Sequence, residues 1–199
     1  MLEKGIEQDW RSIAPQLSIE DNSEVEELFF SEQALGEIAV HFWNQGYLKI
    51  PAIFGEADLA PVRDAMEALH CKGIPPVYIY LYDQPWRMFA RLAPLVRYFL
   101  GENFAVLPNL WAWHLSREGE RGWPPHRDCD AQTVFGAGDE AVIMSLSIWL
   151  PLNDTDEDNG CMYVLPRPKE EAGEKIFSLQ DIRVGDAKAL LQSLVARNA

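Results

Sequence analysis

Paired cysteines, positive charge and long apolar runs are what this chain has least of. Its three cysteines are Cys71, Cys129 and Cys161. The number is odd and no two sit in CxxC spacing, which excludes a disulfide scaffold and a cysteine-built structural zinc site. Lys and Arg number 17 against 31 Asp and Glu, for a net charge of −14. Such a chain repels phosphate backbones and anionic lipid, so no nucleic acid and no membrane is expected as a partner. No apolar stretch is long enough to span a bilayer. The opening Met1-Leu2-Glu3-Lys4-Gly5 has no signal-peptide core, so the expected location is cytoplasmic. Repeats and low-complexity linkers are also missing, and a single domain is expected over 1–199. What is present is apolar residue in quantity, 48% of the chain, enough for a sizeable core.

Patterning divides that domain in three. Residues 1–30 are acidic and weakly periodic, and are expected to wrap the rest. Residues 31–102 are mainly helical. Leu35, Ile38, Ala39, Phe42 and Trp43 share one helix face, and Gly46 is placed to stop it. Tyr47-Leu48-Lys49-Ile50 reads as a short strand. A second helix is expected from about Glu56 to His70, with Leu59, Val62, Met66 and Leu69 inward. Val77 to Tyr82 alternates aliphatic residues with tyrosine, as a half-buried strand does. Trp86 to Leu100 is helical, split by Pro94 and ended by Gly101. Residues 103–199 turn to short strand-like runs at 104–107, 110–115, 142–152 and 161–165. Turn clusters separate them. Helices followed by strands predict an α+β fold, with a β-sandwich or barrel in the second half and helices packed outside it.

The chain has four histidines, His41, His70, His114 and His126. His41 lies beside the stripe of the first helix and reads as a surface or boundary residue. His70, at the end of the second helix, reads as a favourable C-terminal charge. His126 is different, because it stands in Trp123-Pro124-Pro125-His126-Arg127-Asp128. Residues two apart on a strand face the same way. His126 and Asp128 at a strand end therefore present an imidazole and a carboxylate to one divalent first-row metal ion. A third ligand from a distant strand completes a facial triad and leaves positions open. The plainer alternative is a surface His and Asp on either side of an arginine. Cys129, next to the run, reads as a small apolar residue rather than a nucleophile.

Five segments, in order, resemble the phytanoyl-CoA dioxygenase family of iron(II)- and 2-oxoglutarate-dependent oxygenases. Phe42-Trp43-Asn44-Gln45-Gly46-Tyr47-Leu48-Lys49-Ile50-Pro51 is similar to the family's first helix and following strand. Pro108-Asn109-Leu110-Trp111-Ala112-Trp113-His114 resembles the strand ahead of the metal motif, and His126-Arg127-Asp128 matches the motif. Ser145-Leu146-Ser147-Ile148-Trp149-Leu150-Pro151-Leu152 resembles the next core strand. Asn159-Gly160-Cys161-Met162-Tyr163-Val164-Leu165-Pro166 resembles the "NGC…lP" segment. The likeness spans roughly residues 35 to 190. It implies a double-stranded β-helix (jelly-roll, cupin-like) core with N-terminal helices packed on it. It also implies Fe(II) on His126 and Asp128, 2-oxoglutarate as cosubstrate, and hydroxylation of a small or medium organic substrate. In family terms His114 and Trp149 lie beside the 2-oxoglutarate site. From the residues alone, Trp149 is either a cavity wall or core. His114 alternates with Trp111 and Trp113, so it faces opposite to them, either into a cavity or as a hydrogen-bonded core histidine.

The likeness breaks where the family's distal histidine and later arginine belong. Gly185-Asp186-Ala187-Lys188-Ala189-Leu190-Leu191 resembles the start of that strand, but no histidine follows Asp128, and Arg197 falls too early for the arginine. The C-terminal strands are therefore expected to be incomplete and the metal triad short of one ligand. Exposed strand edges then favour a homodimer. The alternative function is a catalytically inactive or truncated relative that acts as a binding or interaction protein. A calcium loop over Asn153 to Gly160 is set aside. Asp154, Asp156 and Asp158 fit, but the glycine comes one position late and Leu165 stands where a glutamate is needed.

Overall fold

The computed structural model describes residues 4–50, 53–115, 126, 133–136, 141–156, 159–164 and 166. Five α-helices occur among them: α1 Lys4–Ile13, α2 Glu32–Gln45, α3 Glu56–Cys71, α4 Asp83–Arg91 and α5 Ala93–Leu100. A 3₁₀ turn occupies Pro76–Leu81, and two short strands follow, β1 Val134–Phe135 and β2 Val142–Ile143. The described residues fall into two compact units. One draws on Met1–Ser31, Ile50–His114 and Thr133–Asp154, the other on Glu32–Lys49, Leu115–Gln132 and Thr155–Ala199.

The first unit is organised by α3. Its start is fixed by Asp58, whose carboxylate accepts the Gly55 N–H at 3.1 Å and an Arg91 N–H at 2.7 Å. Two acids in the first turn, Glu56 and Asp58, also suit the positive end of the helix dipole. Its end is a Schellman closure. Gly73 N–H donates to the His70 carbonyl and Ile74 N–H to that of Leu69, with Gly73 at φ 69°. Between these ends Val62, Ala65, Met66 and Leu69 are buried. They pack with Ala14, Leu17, Phe54, Ile79, Tyr82, Met88 and Leu92 into one core, and Trp10, Ile74 and Leu150 cover its margin.

Val77 to Tyr82 is not a strand. Pro76 opens it with its φ already near helical values and no N–H to pair, and Tyr82 N–H closes back on the Ile79 carbonyl. The buried pair is Ile79 and Tyr82, 2% and 0% exposed. They stand three residues apart, as a 3₁₀ turn requires, rather than two. The Tyr82 hydroxyl donates to the Trp10 carbonyl at 2.7 Å, and this ties the turn to α1.

Pro94 separates α4 from α5 at the buried Leu92, and Gly101, at φ 81°, ends α5. The irregular segment after α1 is held along these helices by hydrogen bonds. Asp83 accepts the N–H groups of Glu20 and Asp21, and Leu28 N–H donates to the Arg91 carbonyl. Arg87 donates to the Ser23 hydroxyl, and Arg97 pairs with Glu27. The segment begins with helix α1, which the weak periodicity hid.

β1 and β2 form an antiparallel ladder with Val134 opposite Ile143 and Phe135 opposite Val142. The runs 104–107, 110–115 and 161–164, and residues 47–50, have no ladder partner of their own, and 142–152 pairs only at its start. The described residues show helices and one two-stranded ladder. They do not show a double-stranded β-helix.

In the second unit α2 runs from Glu32 to Gln45 and stops at Gly46, φ 79°. The face predicted to be apolar is half-buried, and His41 meets Tyr47 edge-on at 5.2 Å. Gly160, at φ 91°, packs so closely on Leu115 that a Cβ there would lie 2.9 Å from Leu115 Cδ1.

Leu69→Ala is expected to lower the unfolding free energy by about 2–5 kcal/mol, because a fully buried side chain leaves a cavity. Tyr82→Phe is expected to lower it by about 1 kcal/mol through loss of one hydrogen bond. Urea denaturation checks both, and a smaller effect of Leu69→Ala than of Tyr82→Phe contradicts the placement of the core. Gly160→Ala is expected to cost about 1–3 kcal/mol through the contact with Leu115 and the left-handed backbone. Thermal melting at or above the parent temperature contradicts that close approach.

Candidate functional site

Of the two residues expected as metal ligands in the HxD run, His126 is described. His126 is solvent-exposed. Asp128, Arg127 and Cys129 lie outside the described residues, as do 185–199, where the distal ligand was sought. Among the described residues no group of three or more His, Cys, Asp or Glu is placed to hold a metal ion. The acidic turn after Asn153 is closed on itself. Asp156 Oδ1 accepts the Asn159 N–H at 3.1 Å, and Asn159 Oδ1 accepts the Asp156 N–H at 2.7 Å. Cys161 N–H then donates to the Asp156 carbonyl. This carboxylate takes part in closing a turn.

His114 and the tryptophans before it obey the expected alternation. The rings of Trp111 and Trp113 stack at 6.3 Å and 19°, and both are about half-exposed, 55% and 47%. His114 turns the other way, onto α3. Its Nε2 lies 2.6 Å from Glu67 Oε2, and its ring stacks on His70 at 4.0 Å and 17°. Its Nδ1 is buried and has no hydrogen-bond partner. Of the two readings left open for His114, a cavity residue or a hydrogen-bonded core histidine, the hydrogen bond is present but the ring is half-buried rather than core. Trp149 is 46% exposed, so it is not core, while its neighbour Leu150 packs on the core margin.

Glu67 gathers this second group. It accepts from His114 and, through Oε1, from the Cys71 thiol at 3.3 Å. The His114 bond, then the Cys71 bond, hold its carboxyl below the ordinary carboxylate range. The same contact with Glu67 pushes the Cys71 thiol up, so this exposed cysteine is a poor nucleophile. Burial pushes the Tyr80 phenol up, and its hydroxyl donates to the Trp111 carbonyl at 3.0 Å. Sequence reading missed this cluster. Glu67, His70 and Cys71 do stand at i, i+3 and i+4, the spacing of one helix face. Nothing local pointed to His114 as their neighbour.

No protein-family model, curated protein or solved structure matches the chain. No helix among the described residues is long and apolar enough to cross a membrane.

A carboxylate with a lowered folded pKa contributes stability in full above the ordinary carboxylate range, and the contribution is lost as pH falls through the lowered pKa. Glu67→Gln is therefore expected to flatten the acid limb of the stability profile below that range. Circular dichroism against pH reads this, and an acid limb as steep as the parent's counts against the Glu67 contacts.

Proposed function

We propose that this chain belongs to the chemistry of iron(II)- and 2-oxoglutarate-dependent dioxygenases, with hydroxylation of a small or medium organic substrate as the reaction. His126 and Asp128 are the metal donors in this reading, one imidazole nitrogen and carboxylate oxygen from residues two apart. Bound iron(II) with 2-oxoglutarate supplies the oxygen activation, and Trp149 borders the cosubstrate. The observation that carries the reading is the ordered set of motifs around the HxD run. One contact supports it: Leu115, at the end of the run ahead of the motif, packs on Gly160 of Asn159-Gly160-Cys161. The residue directly after one resembling segment thus meets a residue of another.

The second reading is a binding protein without turnover, and the engagement of His114 favours it. With Nε2 held by Glu67 at 2.6 Å, this histidine has no free nitrogen on that edge to offer a cosubstrate carboxylate.

Anaerobic addition of iron(II) and 2-oxoglutarate separates the two. The dioxygenase reading expects a metal-to-ligand charge-transfer band that disappears in His126→Ala and Asp128→Ala, and oxygen-dependent succinate formation. No band in the parent chain rejects it. A band without succinate supports the binding protein.

A further inference from the structure

Strand β2 and the residues after it carry apolar side chains on both sides. In the β1–β2 ladder Val134 lies opposite Ile143, and Phe135 opposite Val142. Ile143 is buried. Phe135 and Val142 share the other face and are exposed, and Met144, next on that face, is 65% exposed. The same period of two continues through Leu146 to Ile148, which is also exposed. A strand that is apolar on both sides belongs in a sheet with neighbours around it, yet here only the Ile143 side is buried.

The backbone of this run is used on one edge. Met144 N–H donates to the Thr133 carbonyl at 2.9 Å, so Val142 and Met144 direct their backbone groups to β1. In an antiparallel ladder the residues between them direct theirs to the opposite edge, which assigns Ile143, and Ser145 and Ser147 beyond it, to that side. Among the described residues no strand lies there. Charge limits what can pair with it. The chain carries a net charge of −14, but Ala141–Asn153 contains no Asp, Glu, Lys or Arg. A basic partner is drawn to the acidic surface elsewhere, whereas this edge suits a neutral, apolar strand. The chain carries such a strand itself. Two copies meeting antiparallel about Ser145 set Val142 opposite Ile148 and Met144 opposite Leu146, so every cross-strand pair on the exposed face is apolar and no charge enters.

We propose that β2 and its continuation to Ile148 form the interface of a homodimer, in which two copies pair antiparallel through the edge of Ile143, Ser145 and Ser147. The contact is isologous, so pairing uses up the edge of both copies and closes at two. It joins the two short ladders into one sheet and sets the stripes of Val142, Met144 and Ile148 side by side. The interface is small, so a reversible dimer with a dissociation constant of about micromolar is expected. It does not depend on the chemistry proposed for His126 and Asp128.

Sedimentation velocity of the full chain from about 1 μM to about 200 μM tests this. A reversible shift from monomer to dimer is expected in the parent. Met144→Glu puts a charge into the apolar pairs, and Ser145→Pro removes an N–H from the pairing edge while leaving every apolar side chain in place. Each is expected to raise the dissociation constant about tenfold or more. Both residues are exposed, so the urea midpoint of the dilute monomer is expected to stay at the parent value. Backbone hydrogen exchange of the parent gives a readout that needs no variant. Protection at Ile143, Ser145 and Ser147 is expected to rise with protein concentration, and exchange there that is independent of concentration overturns the dimer. A parent that stays monomeric at the highest concentration also overturns it and leaves the edge to a different partner. So does a dimer that persists unchanged in Ser145→Pro, or growth beyond two copies into open-ended polymers.

Discussion

The rest of the first unit depends on the burial of one face of α3. Val62, Ala65, Met66 and Leu69 form the centre of the core, so the helix cannot rotate without losing all four contacts. Apolar burial is the largest favourable term in folding, and here it also sets direction. With Met66 and Leu69 inward, Glu67 and His70 are carried to the outer side. The Schellman closure at Gly73 fixes the last turn. The polar cluster at the end of α3 is thus positioned by the apolar residues next to it in sequence.

Charge has a different task in this acidic chain. Asp21, Glu27, Glu56 and Glu67 all hold their carboxyls below the ordinary range, through Ser23, Arg97, Arg63 and His114 respectively. These groups are exposed, and exposed pairs contribute little to stability. Their role is placement. Asp83 and Arg87, both of α4, satisfy the backbone of a segment that has no secondary structure to do so. A stretch with weak periodicity thereby gains a fixed path.

The helices were legible where periodicity and punctuation agreed. Gly46, Pro94 and Gly101 stop or divide α2, α4 and α5 where their backbone chemistry requires it. The inward set Leu59, Val62, Met66 and Leu69 follows directly from helical spacing. Reading failed where two periods compete over few residues. Valine, isoleucine and tyrosine in alternation suit a strand, but Pro75-Pro76 preset a tight turn, and the burial of Ile79 with Tyr82 decided for it. Helix α1 was hidden because its stabilisation is tertiary. Trp10 stacks on Tyr78 at 5.3 Å and receives the Tyr82 hydroxyl bond, neither of which a local pattern contains. At the site, the alternation of Trp111, Trp113 and His114 predicted orientation correctly. It said nothing of what His114 would meet.

By itself the sequence determined the quantities that depend on neighbours in the chain. These are the acidic surface, the lack of cysteine pairs, the helix stops and the side of each element that turns inward. They follow from backbone dihedrals and from periods of two to four residues, which are local physics. It also determined the HxD motif with its flanking segments, which is the whole basis of the proposed chemistry. Only the tertiary structure decided that His114 rests on His70 and Glu67, and that Leu115 meets Gly160. Each of these joins residues more than forty positions apart. Such contacts are selected by the packing of whole elements against one another, and no local preference encodes them.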